Sequence, residues 1–246
     1  TYKQKFLDMS KGKLQKFAMI ASYDHVLEPT NEEAMSADGI DMKGKWRKEF
    51  FKNDKPITLE LACGGGEYSV AMAELYPERN FLGIDIKGNR IWKGATKAIE
   101  LGLDNVGFLR TRIDFIANCF EENEIDEIWI TFPDPQQSKN RRRNRLTNKI
   151  FLTRYKHILK DSGRMRLKSD SDFFYEFTRE VIAEEGLETA FECDDIYNNY
   201  TSKNPDSQLS KELEIKTFYE KMWLSDGKTI KYIEYFLDNL KVEVKV

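Results

Sequence analysis

From Ile57 onward, short apolar runs alternate with helix-patterned stretches, and few folds accommodate that alternation. Ile57-Thr-Leu-Glu-Leu-Ala-Cys63 reads as a buried strand, Glu67–Tyr76 as a helix and Asn80–Ile86 as the next strand. A longer helix follows to Leu101, stopped by Gly102. Val106–Arg110 is strand-like, Ile113–Phe120 helical, and Ile125–Phe132 a strand. Lys149–Leu159 reads as a helix ending near Gly163, Arg164–Lys168 as a strand, and Asp172–Glu185 as a helix ending at Gly186. Strands separated by helices of this length need right-handed crossovers, which make a sheet mostly parallel. After Leu187 the chain turns more polar. A long loop is expected at Tyr197–Ser210, and the aromatic-rich Thr217–Leu224 and Ile230–Phe236 read as antiparallel strands. The expected fold is α/β and doubly wound, with an antiparallel C-terminal portion.

The pattern is weak before residue 56, so residues 1–55 read as a basic, partly helical extension and 56–246 as the main domain. With 40% hydrophobic and 33% charged residues, the composition is that of a soluble globular protein. No run approaches the roughly 18–20 apolar residues of a membrane span. Thr1-Tyr-Lys-Gln-Lys5 lacks the apolar stretch of a signal peptide, so a cytoplasmic location is expected. Cys63, Cys119 and Cys193 have neither redox nor metal-ligand spacing, and only His25 and His157 are available. A metal centre is therefore not expected, and each histidine reads as structural or solvated.

The net charge of −3 conceals an asymmetry. Between Gln136 and Lys168 stand twelve Lys or Arg against Asp161 alone, and the first sixteen residues hold five lysines against Asp8. Acids gather instead at Glu121–Glu127 and Glu184–Asp195. Lys139-Asn-Arg-Arg-Arg-Asn-Arg145 places five cations in seven residues, which repel one another unless something anionic answers them. A local basic face on an acidic chain is what a polyanion such as RNA requires.

Three features fall at the carboxyl ends of expected strands, where open parallel sheets bind ligands. Glu60-Leu-Ala-Cys-Gly-Gly-Gly66 follows a strand and opens a helix, so Gly64 and Gly66 let the backbone approach a ligand closely. Asp85 ends the second strand nineteen residues after Gly66, placed to accept both hydroxyls of a ribose. Ser69 replaces the third glycine of the dinucleotide pattern, which favours S-adenosylmethionine over NAD. Finally, Phe132-Pro-Asp-Pro135 braces Asp134 between two prolines at the end of the fourth strand.

Glu60–Gly66, Gly83-Ile-Asp85, Phe132–Pro135 with its basic follow-on, Leu167-Lys-Ser-Asp170 and Thr217-Phe-Tyr-Glu220 together resemble the ordered motifs of the bacterial tRNA (guanine-N7) methyltransferases. The resemblance spans about residues 55–236. It implies a Rossmann-like class I methyltransferase fold, S-adenosylmethionine as cofactor and tRNA as partner. The expected product is N7-methylguanine at position 46 of the variable loop. No DNA, membrane or obligate protein partner is expected. By position, the resemblance puts cofactor contacts on Glu60, Asp85 and Asp134, with Gly64 and Gly66 shaping the pocket. It puts substrate contacts on Lys139, Asp170, Thr217, Phe218, Tyr219 and Glu220. The chain departs from the family where Ala62 stands for Gly and Gln136 for Trp. It departs again where Ser138 stands for a lysine, with Lys139 next to it, and where Arg112 stands for an acid.

Guanine N7 carries a free lone pair and loses no proton on methylation, so no strong base is needed. Asp134 is the expected catalytic residue, orienting guanine through its N1–H and N2 amino donors. Two other readings share these features: a methyltransferase for a different RNA base, a protein or a small molecule, and a non-catalytic RNA-binding module.

Overall fold

The computed structural model describes residue 12 and residues 14–242. Lys3, Lys5, Lys11 and Lys13 of the N-terminal lysine cluster lie outside these. Residues 14–20 are helical. Next come β1 (Val26–Leu27), α1 (Asn31–Met35), β2 (Ile57–Leu61), α2 (Glu67–Leu75), β3 (Asn80–Asp85), α3 (Gly88–Leu101), β4 (Val106–Arg110) and α4 (Ile116–Cys119). The second half holds β5 (Ile125–Thr131), α5 (Lys149–Ile158), β6 (Leu159–Ser169), α6 (Asp172–Glu184), β7 (Thr189–Cys193), α7 (Gln208–Leu213), α8 (Phe218–Ser225) and β8 (Lys231–Phe236).

One sheet carries all of these strands in the order β1-β4-β3-β2-β5-β6-β8-β7. Pairings from β1 to β6 are parallel, and β8 runs antiparallel between β6 and β7. Every residue of β2 and β3 is buried, as a parallel sheet covered on both faces demands. Alternation along β3 supplies two apolar clusters, Leu82 and Ile84 in one and Phe81 in the other. The chain moves one way from β2 through β3 to β4 and the opposite way from β5 to β6. That reversal opens a crevice above the ends of β2 and β5.

Three expectations change. Thr217–Leu224 is not a strand. Its aromatic content reads as β, but the Thr217 hydroxyl accepts the Glu220 N–H at 3.2 Å and starts α8. The expected loop at Tyr197–Ser210 contains a π-helical turn at Tyr197–Thr201, and Ser207 caps the start of α7. The helix after Lys149 ends at Ile158, and Leu159–Gly163 already belong to β6. Meanwhile Val26 and Leu27 pair with β4, and Trp46 is fully buried in the main cluster. The described part of residues 1–55 is thus joined to the sheet and the core.

Candidate functional site at the sheet switch point

Both strands at the reversal hand over to residues in the left-handed region: Ala62 (φ 57°) after β2 and Phe132 (φ 48°) after β5. A non-glycine residue held there costs on the order of 1–3 kcal/mol and persists only where its surroundings impose it. Gln136 (φ 46°) ends the second loop in the same way. Both loops therefore turn sharply at the rim of the crevice.

In the first loop, a Cβ at Gly66 would lie 2.4 Å from the Phe108 ring, and one at Gly94 of α3 would lie 2.7 Å from the Gly65 carbonyl oxygen. Those glycines press the turn against α3. A Cβ at Gly64 would meet nothing within 4 Å, so this glycine keeps its face of the turn open. The Asp85 carboxylate holds the turn from below, accepting Gly64 N–H at 3.0 Å and Lys87 N–H at 2.8 Å.

Glu60 is buried at the end of β2. It accepts Ser69 N–H at 3.0 Å, the Ser69 hydroxyl at 2.5 Å and the Thr131 hydroxyl at 2.5 Å. Ser69, which breaks the dinucleotide pattern, is thus the partner that fixes this carboxylate. Burial pushes the Glu60 carboxyl up to about 7, against those hydrogen bonds, which pull it down. A folded pKa above the unfolded 4.5 leaves full stability at low pH and loses it as pH rises through about 7. Glu60→Gln, which cannot ionise, should therefore gain stability relative to the parent between about pH 5 and pH 8. Urea denaturation across that range measures the difference, and parallel curves would contradict it.

Two cavities meet at this crevice. The smaller, about 330 Å³, is lined by Glu60, Cys63, Gly64, Gly65, Glu67, Thr131 and Thr217, with Lys16 from the N-terminal helix. The larger, about 1020 Å³, is lined by Asp134, Asp170, Phe173, Trp223, Lys87 and Lys228 among others. Arg90, Phe132 and Tyr219 line both, so they form the seam. Burial pushes the Cys63 thiol well up, which suppresses its nucleophilic thiolate. Neither histidine lines either cavity. His25 bonds the Ala95 carbonyl oxygen at 3.0 Å, and His157 is exposed. Among the described residues no group of side chains could hold a metal ion, and no helix is long and apolar enough to cross a membrane.

The expected site residues are only partly gathered. Asp134 is exposed on the larger cavity, where its Oδ1 accepts the Gln136 N–H at 3.1 Å. Asp170 lines the same cavity, paired with Lys228 at 2.9 Å. Phe218 and Tyr219 are exposed on the first turn of α8, and Thr217 caps it. Lys139 begins a 3₁₀ segment, Lys139–Asn144, and lines neither cavity. Asp85 sits under the glycine turn rather than among the cavity-lining side chains.

Glu220 is fully buried and lines neither cavity. Its carboxylate pairs with the Lys168 ammonium at 2.8 Å and accepts the Tyr197 hydroxyl at 2.6 Å. Lys168 also donates to the carbonyls of Leu213 (2.7 Å) and Ile215 (2.9 Å). This cluster fastens α8 to the end of β6. Glu67 fastens the other side, accepting the Phe218 N–H at 2.7 Å. The resulting roof places Thr217, Phe218 and Tyr219 over the smaller cavity.

The residue pattern gave no sign of Glu67, Thr131 or Arg90. A carboxylate one residue past a glycine turn and an arginine in the first turn of α3 carry no local signal; only the fold brings them to the crevice.

A family model described as "Putative methyltransferase" matches residues 54–233. A tRNA (guanine-N(7)-)-methyltransferase of Christiangramia forsetii is 48% identical over 92% of this chain and 98% of its own length. The chain belongs to this methyltransferase family. A Bacteroides fragilis member of the same name is 46% identical over 93% of this chain and 87% of its own. The solved 16S rRNA methyltransferase KamB shares the fold, with a TM-score of 0.54 over 74% of this chain and 87% of that one, at 13% identity.

Within this family member, the basic run is much less positive in space than in sequence. Lys149, Arg154, Lys156, Lys160 and Arg164 pair with Glu185, Asp114, Asp161, Asp126 and Glu234, while Arg166 and Lys168 are buried in ion pairs. Arg145 is buried too, donating to the Gln136 and Gln137 carbonyls at 3.1 and 3.4 Å. Arg142 lies 3.6 Å from Glu184. Lys139, Arg141 and Arg143 remain exposed and make no ion pair among the described residues.

Proposed function

We propose that this chain transfers a methyl group from S-adenosylmethionine to N7 of a guanine in tRNA, at position 46 of the variable loop, in the cytoplasm. One observation carries the reading. A smaller cavity under a glycine turn and a larger one beside it share a seam at Phe132, Arg90 and Tyr219, so a donor and a bulky acceptor can meet there. The relatives' names point to the same reaction.

The smaller cavity fits the donor. Gly64 leaves its face of the turn clear, Glu60 offers a buried carboxylate to a cationic group, and Asp85, beneath the turn, holds the Gly64 N–H and so fixes the face the donor would meet. When bound, S-adenosylmethionine supplies a methyl group on a sulfonium for in-line displacement. Asp134 holds the guanine edge through N1–H and the N2 amino group, turning N7 toward the seam. Asp170 takes part in fixing the nucleoside. No residue needs to remove a proton, so rate comes from orientation, approach and exclusion of water. Lys139, Arg141 and Arg143 grip phosphates.

The grip has a measurable signature. Replacing Arg141 and Arg143 with Gln should weaken tRNA binding and lower the salt slope by about one unit per lost phosphate contact. Affinity for S-adenosylhomocysteine should stay unchanged. The same change at Arg154 and Lys160, which are already paired, should do little. Equal slopes in all variants would place these arginines among ordinary solvated residues.

Position is tested by chemical cleavage. N7-methylguanine carries a positive imidazolium that borohydride reduces, after which aniline cuts the strand there. Cleavage of treated tRNA in the variable loop supports the reading, and cleavage elsewhere corrects the position.

A further inference from the structure

We propose that Phe173 is the stacking platform for the target guanine, presenting one ring face to the larger cavity. The proposal rests on the tRNA reading above. Guanine N7 lies in the deep, narrow groove of paired RNA, so the base must leave its stack, and the enzyme must offer a flat surface in return. Phe173 is 39% exposed on the first turn of α6 and lines the cavity that holds Asp134 and Asp170.

Its geometry is unusually fixed for an exposed ring. The Arg145 guanidinium lies 4.5 Å over the Phe173 ring and 4.5 Å over that of Phe177, which is buried. The same guanidinium bonds the Gln136 and Gln137 carbonyls. One buried arginine therefore sets both the ring and the loop that carries Asp134. A purine on the open face of Phe173 would extend the stack of Phe177, Arg145 and Phe173, with its edge toward Asp134. Two of the neighbouring aromatics are less suited. Trp223 is covered by the Lys228 ammonium at 3.7 Å, and Tyr219 packs edge-on against Phe218 with ring centres 5.6 Å apart.

The test compares Phe173→Leu, which keeps apolar bulk but loses the flat face, with Phe173→Trp, which keeps the face. Formation of 7-methylguanosine in unmodified tRNA is followed at fixed salt. Phe173→Leu is expected to lower kcat/KM for tRNA about five- to a hundredfold, the range for one base–aromatic stack. Its melting temperature, its affinity for S-adenosylhomocysteine and the salt slope of tRNA binding should match the parent. Phe173→Trp should retain activity near that of the parent. Wild-type kcat/KM in Phe173→Leu would overturn the platform while leaving the tRNA reading intact. So would equal losses in both variants with a lowered melting temperature, which would assign Phe173 to packing Arg145. A parent enzyme that forms no 7-methylguanosine would overturn the tRNA reading and the platform with it.

Discussion

Lys168→Met is expected to cost about 3–5 kcal/mol of folding stability, because it strands the Glu220 carboxylate, fully buried, without its counter-charge. The Leu213 and Ile215 carbonyls lose their donor as well. Removing both charges together, as Lys168→Met with Glu220→Leu, should recover most of that loss, since apolar replacement of a whole buried pair is often near neutral. Urea denaturation of the two variants separates the cases. The double variant also decides what Glu220 does. If it holds the roof over the donor cavity and touches no substrate, the stable double variant should keep measurable tRNA methylation. If it reads the nucleoside, that protein should be folded and inactive. A Lys168→Met protein as stable as the parent would remove the pair from the account of α8.

Asp134→Asn is expected to lower turnover about ten- to a hundredfold while leaving stability and bulk tRNA affinity unchanged. The structure makes this substitution a clean one. The only protein hydrogen bond of the carboxylate among the described residues is to the Gln136 N–H, and an asparagine oxygen accepts that bond equally well. The loop keeps its shape, with φ at Phe132 and Gln136 set by its own geometry and by Arg145. What changes is the second oxygen, which becomes an NH₂ group facing a guanine donor. An unmatched polar contact of this kind costs about 1–3 kcal/mol once water is excluded. Single-turnover rates with saturating tRNA measure the effect. Parent-like turnover in Asp134→Asn would reduce this residue to a turn cap.

Local signals were legible in advance, and long-range ones were not. The glycine turn, the acid ending β3 and the braced Asp134 each depend on a few consecutive residues, and all three lie around the switch point. The sheet was readable because β2 and β3 are short, mostly apolar runs buried along their whole length, which leaves the parallel pattern plain. The aromatic content of the segment from Thr217 reads as β, but its Thr-x-x-Glu start prevails, since capping, not side-chain bulk, decides where a helix begins. Glu220 reads as a substrate contact, and nothing near it in sequence reveals Lys168, fifty-two residues away, which holds it in the interior. The basic run misled in a similar way. Its charge is real, but acids from the turn before α4, from α6 and its C-terminal cap, and from the neighbouring strands neutralise most of it, and Lys139, Arg141 and Arg143 make no ion pair among the described residues. Ser69 was read as a glycine lost from a pattern. In the fold it is the donor that fixes Glu60.

The most direct measurement uses the full chain, unmodified tRNA and S-adenosylmethionine labelled on its methyl group. After reaction the tRNA is digested to nucleosides and the label is followed by chromatography and mass spectrometry. The label is expected in 7-methylguanosine, at one equivalent per accepting tRNA, and Asp134→Asn should slow its appearance. Label in any other nucleoside, label in protein, or no transfer while both ligands bind would contradict the proposed reaction.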